Sequence, residues 1–169
     1  MNKTHLKKRL VIGSANFAQT YGADPIKINH NDLIKILYLA KKNSIYKIDT
    51  AEAYLKKKNV FNKIDKKFKF STKIIPDLRW VSLEFCQKQL EDHFKILNRN
   101  KVETLYLHDI KILFTKNGLK IFKNLELLKQ KRYFQKIGLS IYDTNCLNYI
   151  TSNYNFDAVQ CPFNILDRR

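Results

Sequence analysis

Six short apolar runs that end in polar residues occur along this chain, and between them lie five longer segments whose apolar residues have helical spacing. The apolar runs predict strands at 9–12, 45–49, 69–72, 102–107, 136–139 and 157–160, and the longer segments between them predict helices at 32–43, 60–68, 82–97, 118–132 and 143–152. A strand, a helix and a second strand in one sheet form a parallel βαβ unit with a right-handed crossover. The alternation therefore predicts an α/β fold built on a parallel sheet.

Polar residues at the ends of these strands are the candidates for a functional site. In parallel α/β folds, residues at the carboxyl ends of the strands face the ligand crevice, whereas residues inside the strands face the core. Asp49 ends the second strand, and Tyr54 follows it by five residues. Lys73 follows the third strand and His108 the fourth. We therefore predict that these four side chains meet at one edge of the sheet.

These four residue types can together donate a proton to a carbonyl oxygen. A lysine ammonium beside the Tyr54 hydroxyl would lower the pKa of the tyrosine, because the positive charge favours the phenolate, and Asp49 would keep the lysine charged. Tyr54 could then act as a general acid. His108, on the adjacent strand, could donate a hydrogen bond that orients the same oxygen.

Each of these residues also has an ordinary structural explanation. An aspartate after a strand often caps a helix, and a tyrosine among nine is more often part of the core or its rim. Lys73 is one of 26 lysines, most of which are expected at helix surfaces, and His108 could bind a backbone carbonyl. Only the joint placement of the four at strand ends favours a functional site.

The net charge of +17 raises the question of a nucleic-acid partner. Lys, Asn, Ile, Phe and Tyr make up 80 of the 169 residues, and all five have A/T-rich codons, so genome composition accounts for the lysines. The basic residues are spread singly, except in the run 56–58, and are not interleaved with aromatic residues. We expect no nucleic-acid partner; the alternative predicts binding that weakens steeply with salt.

The remaining composition predicts a globular protein. A chain of 169 residues with 44% hydrophobic residues and no Gly- or Pro-rich linker predicts a single domain over residues 1–169. Cys86, Cys146 and Cys161 have neither disulfide-framework nor zinc-site spacing, so we expect no metal. No apolar stretch is long enough for a signal peptide or a membrane span, so we expect a cytoplasmic protein with no membrane partner.

The strand ends carry the motifs GSANFAQTYG, IDTAEAY, STK, LHD, GLSIYD and VQCPFNILDRR. These motifs resemble those of the aldo-keto reductases and occur in that family's order. The resemblance covers nearly all of the chain and implies a (β/α)8 barrel of the TIM type. It implies that Tyr54 is the catalytic acid, that Lys73 and Asp49 are its pKa partners, and that His108 orients the substrate carbonyl.

The same resemblance implies a nicotinamide cofactor. Ser140 and Gln160 resemble the pair that binds the nicotinamide carboxamide, and Asp49 also borders the cofactor. The implied cofactor is NADPH, or NADH, and the implied partner is a small aldehyde or ketone that is reduced. The cofactor supplies the chemistry in such enzymes, and the protein positions it.

Two features depart from the family's pattern. Tyr54 is followed by Leu55 and three lysines, where similar members have a glycine and soon a Ser-Glu pair, so we expect a displaced loop. An eight-stranded barrel typically needs ~250 residues, so this chain is expected to be truncated to about six βα units. The first and sixth strands would then be open edges, which favour self-association.

The open edges also support an alternative function. In this interpretation the chain is a non-catalytic truncated barrel, or a half-barrel that pairs with another chain. It predicts dimers or aggregates, whereas a stable monomer would weaken it.

Overall fold

A computed structural model of the chain describes residues 9–18, 28–55, 59–166 and 168. The strands are β1 (Ile12–Gly13), β2 (Lys47–Asp49), β3 (Lys69–Ile74), β4 (Val102–Leu107), β5 (Phe134–Ser140) and β6 (Ala158–Gln160). The helices are α1 (Ala15–Ala18), α2 (His30–Lys42), α3 (Asn59–Asn62), α4 (Leu83–Ile96), α5 (Gly118–Gln130) and α6 (Leu147–Asn153). Short 3-10 turns lie at Glu52–Tyr54, Leu78–Val81, Lys111–Phe114 and Thr144–Cys146.

All six strands belong to one sheet, in the order β1-β2-β3-β4-β5-β6, and every neighbouring pair is parallel. Each strand thus pairs with the strand that precedes it in the chain. This is the connectivity of successive βαβ units. The sheet curls into part of a barrel, and the predicted parallel α/β architecture is confirmed.

Side-chain caps begin two of the three long helices, α2 and α4. The Asn29 side chain accepts a hydrogen bond from the Asp32 amide at the start of α2, at 3.0 Å. The Ser82 hydroxyl accepts one from the Phe85 amide at the start of α4, at 3.3 Å. Each cap satisfies an amide that has no partner within its own helix.

The segment at 60–68 is mostly not the helix that its spacing predicts. Its helix, α3, ends at Asn62, and the chain then turns at Asp65. The Asp65 carboxylate accepts from the Lys67 amide at 2.8 Å, and its carbonyl accepts from the Phe68 amide at 3.0 Å. An aspartate that binds the backbone in this way stabilises a turn at the expense of a helix.

The core lies between the sheet and the helices. The Thr72 hydroxyl of β3 lies 2.7 Å from Nε2 of His93 on α4, so Thr72 faces the helix layer. Because successive side chains of a strand point to opposite faces, Ser71 and Lys73 face the concave side. The fully buried large side chains include Trp80, Phe61, Phe68, Phe70, Phe94, Phe134, Ile74, Leu105 and Leu107.

No helix in the described part of the chain is both long enough and apolar enough to cross a membrane. Cys86, Cys146 and Cys161 are free thiols in the structure. Burial of Cys86 raises its pKa to about 12, so this thiol remains protonated and unreactive.

Candidate functional site

The carboxyl edge of the sheet brings Asp49 and Lys73 into contact. Asp49 is the last residue of β2, and Lys73 is the penultimate residue of the neighbouring β3. The Lys73 ammonium donates a hydrogen bond to Oδ2 of Asp49, and it lies 3.4 Å from the carbonyl oxygen of Thr50. Lys73 is 6% exposed. A charged amine this deeply buried needs a partner of opposite charge, and Asp49 supplies it.

His108 lies beside this ion pair. It follows β4 directly, and its amide donates to the Ile74 carbonyl of β3 at 2.7 Å. Its pKa lies below the ordinary value, first because burial disfavours the charged ring and second because of the Lys73 charge, whereas the Asp49 and Asp109 carboxylates oppose the shift. The imidazole is therefore neutral near pH 7 and can donate one ring N–H.

Tyr54 ends the 3-10 turn that follows β2. Its amide donates to the Ala51 carbonyl at 2.9 Å, and its side chain is half-buried. The turn packs against β3, the strand that carries Lys73. The fold thus places Tyr54 next to the strand of Lys73, and the role of its hydroxyl stays a prediction. The lysine run 56–58, where we expected a displaced loop, lies outside the described residues, as does 19–27 of the first loop.

Ser140 and Gln160 are direct neighbours at the same edge, on β5 and β6. The Ile141 amide holds the two strands together by donating to the Gln160 carbonyl at 2.8 Å. Ser140 is buried, and the buried Oε1 of Gln160 has no hydrogen-bond partner among the residues that the structure describes. A buried acceptor without a donor is costly, so a ligand that donates a hydrogen bond there would be favoured.

A cleft of about 530 Å³ opens beyond β3, β4 and β5, between His108 and Ser140. Its other lining residues are mostly apolar or aromatic, with a few charged groups at the rim: Ile75, Asp109, Ile110, Lys111, Phe114, Tyr142, Asp143 and Cys146. This volume is in the range of small-molecule sites. The cleft can therefore receive a molecule with an apolar body whose polar end lies at His108.

The model of the aldo/keto reductase family matches residues 9–169. The chain belongs to the aldo/keto reductase family. No curated protein sequence gives a significant match.

Solved aldo-keto reductases share the fold. A putative aldo-keto reductase of Pseudomonas aeruginosa is 19% identical, with a TM-score of 0.70 over 93% of this chain and 64% of that one. The holo form of a Bacillus halodurans aldo-keto reductase is 18% identical, with a TM-score of 0.69 over 95% of this chain and 55% of that one. A Bombyx mori aldo-keto reductase in complex with NADP is 16% identical, with a TM-score of 0.64 over 92% of this chain and 54% of that one.

These neighbours confirm the (β/α)8 type of architecture, of which this chain has six βα units. The chain spans less than two thirds of the length of the structures just described. The family as a whole uses nicotinamide cofactors, and the buried Gln160 acceptor beside Ser140 suits a carboxamide, whose NH₂ group donates hydrogen bonds.

In the part of the aldo-keto reductase chain that the structure describes, no group of three or more His, Cys, Asp or Glu residues could hold a metal ion.

Sequence reasoning did not select Tyr106, whose ring faces the Lys73 amine, or Gly138, over which that ring lies. The two-residue spacing along the strands could have indicated them. Because side chains alternate between the two faces of a sheet, Tyr106 projects from the same face as His108, and Gly138 lies on the same face as Ser140.

Proposed function

We propose that this aldo-keto reductase site reduces the carbonyl group of a small aldehyde or ketone, with Tyr54 as the general acid. The observation that supports this most directly is the Lys73–Asp49 ion pair beside a neutral His108, which itself lines an apolar cleft. An apolar cleft with a few convergent polar groups is the usual form of a small-molecule site. The cleft favours substrates with an apolar or aromatic body.

In the proposed reaction, His108, Tyr54, Lys73 and Asp49 would each have a separate role. His108 donates its ring N–H to the carbonyl oxygen and so orients it. As hydride reaches the carbonyl carbon, the C=O π electrons move to the oxygen, and Tyr54 gives its hydroxyl proton to that oxygen. The Lys73 ammonium stabilises the phenolate that remains on Tyr54, and Asp49 keeps Lys73 charged.

Ser140 and Gln160 would hold the nicotinamide carboxamide, and Asp49 would border the ring. When bound there, a reduced nicotinamide nucleotide supplies the hydride. The buried Gln160 acceptor supports this assignment, because it can accept a hydrogen bond from the amide. NADPH is the expected cofactor because members of the family usually use it, and NADH is the alternative.

The test is carbonyl-dependent oxidation of NADPH, measured with 4-nitrobenzaldehyde as an aromatic probe. It should be run with the chain alone and with the chain fused to the last two βα units of a family member. The Tyr54→Phe variant should lose at least 100-fold in kcat, in line with the contribution of a general acid. The control Tyr38→Phe, an exposed tyrosine on α2, should retain wild-type kinetics. An unchanged rate in Tyr54→Phe, or no oxidation in either protein, would reject the proposal.

A second function is favoured by the edges of the sheet. Within the described residues, β1 and β6 each pair with a strand on one side only. The large apolar side chains of Val159 in β6 and of Phe163, Ile165 and Leu166 after it are exposed. We propose as the alternative that a second chain pairs with this edge. Light scattering coupled to gel filtration would support it with a dimer and reject it with a monomer across micromolar concentrations.

A further inference from the structure

We propose that Tyr106 is a positioning residue, whose ring holds the Lys73 ammonium against Asp49 and beside His108. The effect of Tyr106 on catalysis rests on the proposed function, but its effect on the position of the Lys73 ammonium does not. Lys73, Tyr106 and Gly138 are register partners on β3, β4 and β5. Paired residues of neighbouring strands project from the same face of a sheet. Tyr106 therefore lies between the lysine and the glycine on the concave face.

The Tyr106 ring lies directly on the backbone of β5. A Cβ atom added at Gly138 would be 2.2 Å from Cδ1, 2.4 Å from Cε1 and 2.8 Å from Cγ of the ring. No real side chain could occupy that position without moving the ring. Gly138 is thus the residue that allows Tyr106 to occupy this place.

The ring closes the β4 side of the lysine amine. Nζ of Lys73 lies 6.0 Å from the centroid of the Tyr106 ring, at the outer limit of a cation–π contact. The hydrogen-bond acceptors of the Lys73 amine are the Asp49 carboxylate and the Thr50 carbonyl, and both lie on the β2 side. Lysine has a long flexible side chain. Without the ring, the space over Gly138 would let this side chain turn away from Asp49 or let water reach it.

The hydroxyl of Tyr106 is not suited to be the proton donor. Burial raises its pKa, the Asp49 and Glu103 carboxylates raise it further, and a hydrogen bond with the Thr104 side chain opposes the shift. A phenol with a raised pKa is a weaker acid. The contribution of Tyr106 therefore comes from the position of its ring, so phenylalanine should replace it.

His108 reports the position of the Lys73 amine without any need for catalysis. The charged groups that act on its ring are Lys73 from β3, Asp49 from β2 and the adjacent Asp109, and Lys111 and Asp143 line the same cleft. Among the charges that act on the ring, Lys73 lowers the His108 pKa, whereas Asp49 and Asp109 raise it. If the amine moves away, the His108 pKa must rise.

The experiment is an NMR titration of the histidine rings, with His108 assigned by the loss of its signal in His108→Gln. Tyr106→Leu and Tyr106→Phe are each measured with Lys73 present and in a Lys73→Met background. We expect Tyr106→Leu to raise the His108 pKa and Tyr106→Phe to leave it at the wild-type value. In the Lys73→Met background, Tyr106→Leu should cause little further rise.

An equal rise in both backgrounds would mean that the ring only excludes water, and an unchanged pKa would mean that it positions nothing; either result overturns the proposal. If Tyr106→Leu fails to fold, Tyr106→Met provides the same comparison with a larger side chain. Kinetics separate the two proposals. If Tyr106→Leu loses kcat and Tyr106→Phe restores it, the role of Tyr106 extends to catalysis. If no variant and no wild-type protein reduces a carbonyl, the proposed function is rejected, and the NMR titration alone decides the role of Tyr106.

Discussion

The ammonium of Lys73 and the carboxylate of Asp49 form an ion pair between two neighbouring strands, with the lysine almost completely buried and the aspartate side chain 20% exposed. The pair links the carboxyl ends of β2 and β3 at the point where the proposed chemistry takes place. It therefore affects the stability of the fold as well as the charge of the site.

Replacing only the acidic partner should destabilise the protein. In Asp49→Asn, the buried Lys73 ammonium loses its counter-charge, and we expect the free energy of unfolding to fall by about 3 kcal/mol. The double variant Asp49→Asn/Lys73→Met should be more stable than Asp49→Asn alone, because no charge then remains buried. Urea denaturation at pH 7 measures both. Equal stability of the single and double variants would contradict this explanation.

His93 should make the stability of the protein depend on pH. Burial lowers its pKa from 6.5 to about 4, so the neutral ring is favoured in the folded state. Its stabilising contribution is fully present above pH 6.5 and is lost as the pH falls towards 4. The difference of 2.5 units corresponds to about 3 kcal/mol at most.

The measurement is urea denaturation at several values between pH 7 and pH 4. His93→Gln removes the titrating ring and should show a smaller loss of stability over this range. His30→Gln, at an exposed position on α2, should keep the wild-type dependence. If His93→Gln loses stability as steeply as the wild type, another group is responsible.

Gly118 should not tolerate even a methyl group. A Cβ atom at this position would lie 2.4 Å from the Leu113 carbonyl oxygen and 2.7 Å from the Tyr154 hydroxyl. We therefore expect Gly118→Ala to lower the free energy of unfolding by about 2 kcal/mol, although alanine is the better helix former. Gly13→Ala is the matched control, because nothing lies within 4 Å of its added Cβ atom, and its stability should change little. Thermal or urea unfolding that ranks the two variants in the opposite order would refute this.

Gln160→Leu should weaken cofactor binding without lowering the stability of the unliganded protein. It removes a buried acceptor that has no partner among the described residues, so the stability of the unliganded protein should be unchanged or slightly higher. If the Gln160 side chain accepts a hydrogen bond from the nicotinamide carboxamide, the Kd for NADPH should rise about tenfold, because the variant loses the free energy of one hydrogen bond.

Fluorescence titration with NADPH measures the affinity in this experiment. Gln135→Leu, an exposed glutamine near the start of the neighbouring β5, serves as the control and should bind NADPH as the wild type does. Unchanged affinity in Gln160→Leu would remove this residue from the proposed cofactor site.

Local sequence was sufficient to predict the order of the strands and the strand ends that carry Asp49, Lys73 and His108. Hydrophobic periodicity and short motifs are local properties, and a parallel sheet of successive βαβ units converts local order directly into spatial order. The helix predicted at 60–68 was mostly wrong for a local reason as well, because α3 ends at Asn62 and the Asp65 side chain stabilises a turn where the helix was expected to continue.

The sequence by itself determined the parallel α/β architecture and the family, and it predicted the edge of the sheet at which the candidate site lies. Only the tertiary structure decided that the ring of Tyr106 fills the space over Gly138, that Lys73 also lies near the Thr50 carbonyl, and that the buried Gln160 acceptor lacks a donor among the described residues. The physical reason is that strand register and sheet curvature set the distances between side chains of different strands. These distances depend on the whole sheet, and no local pattern of residues encodes them.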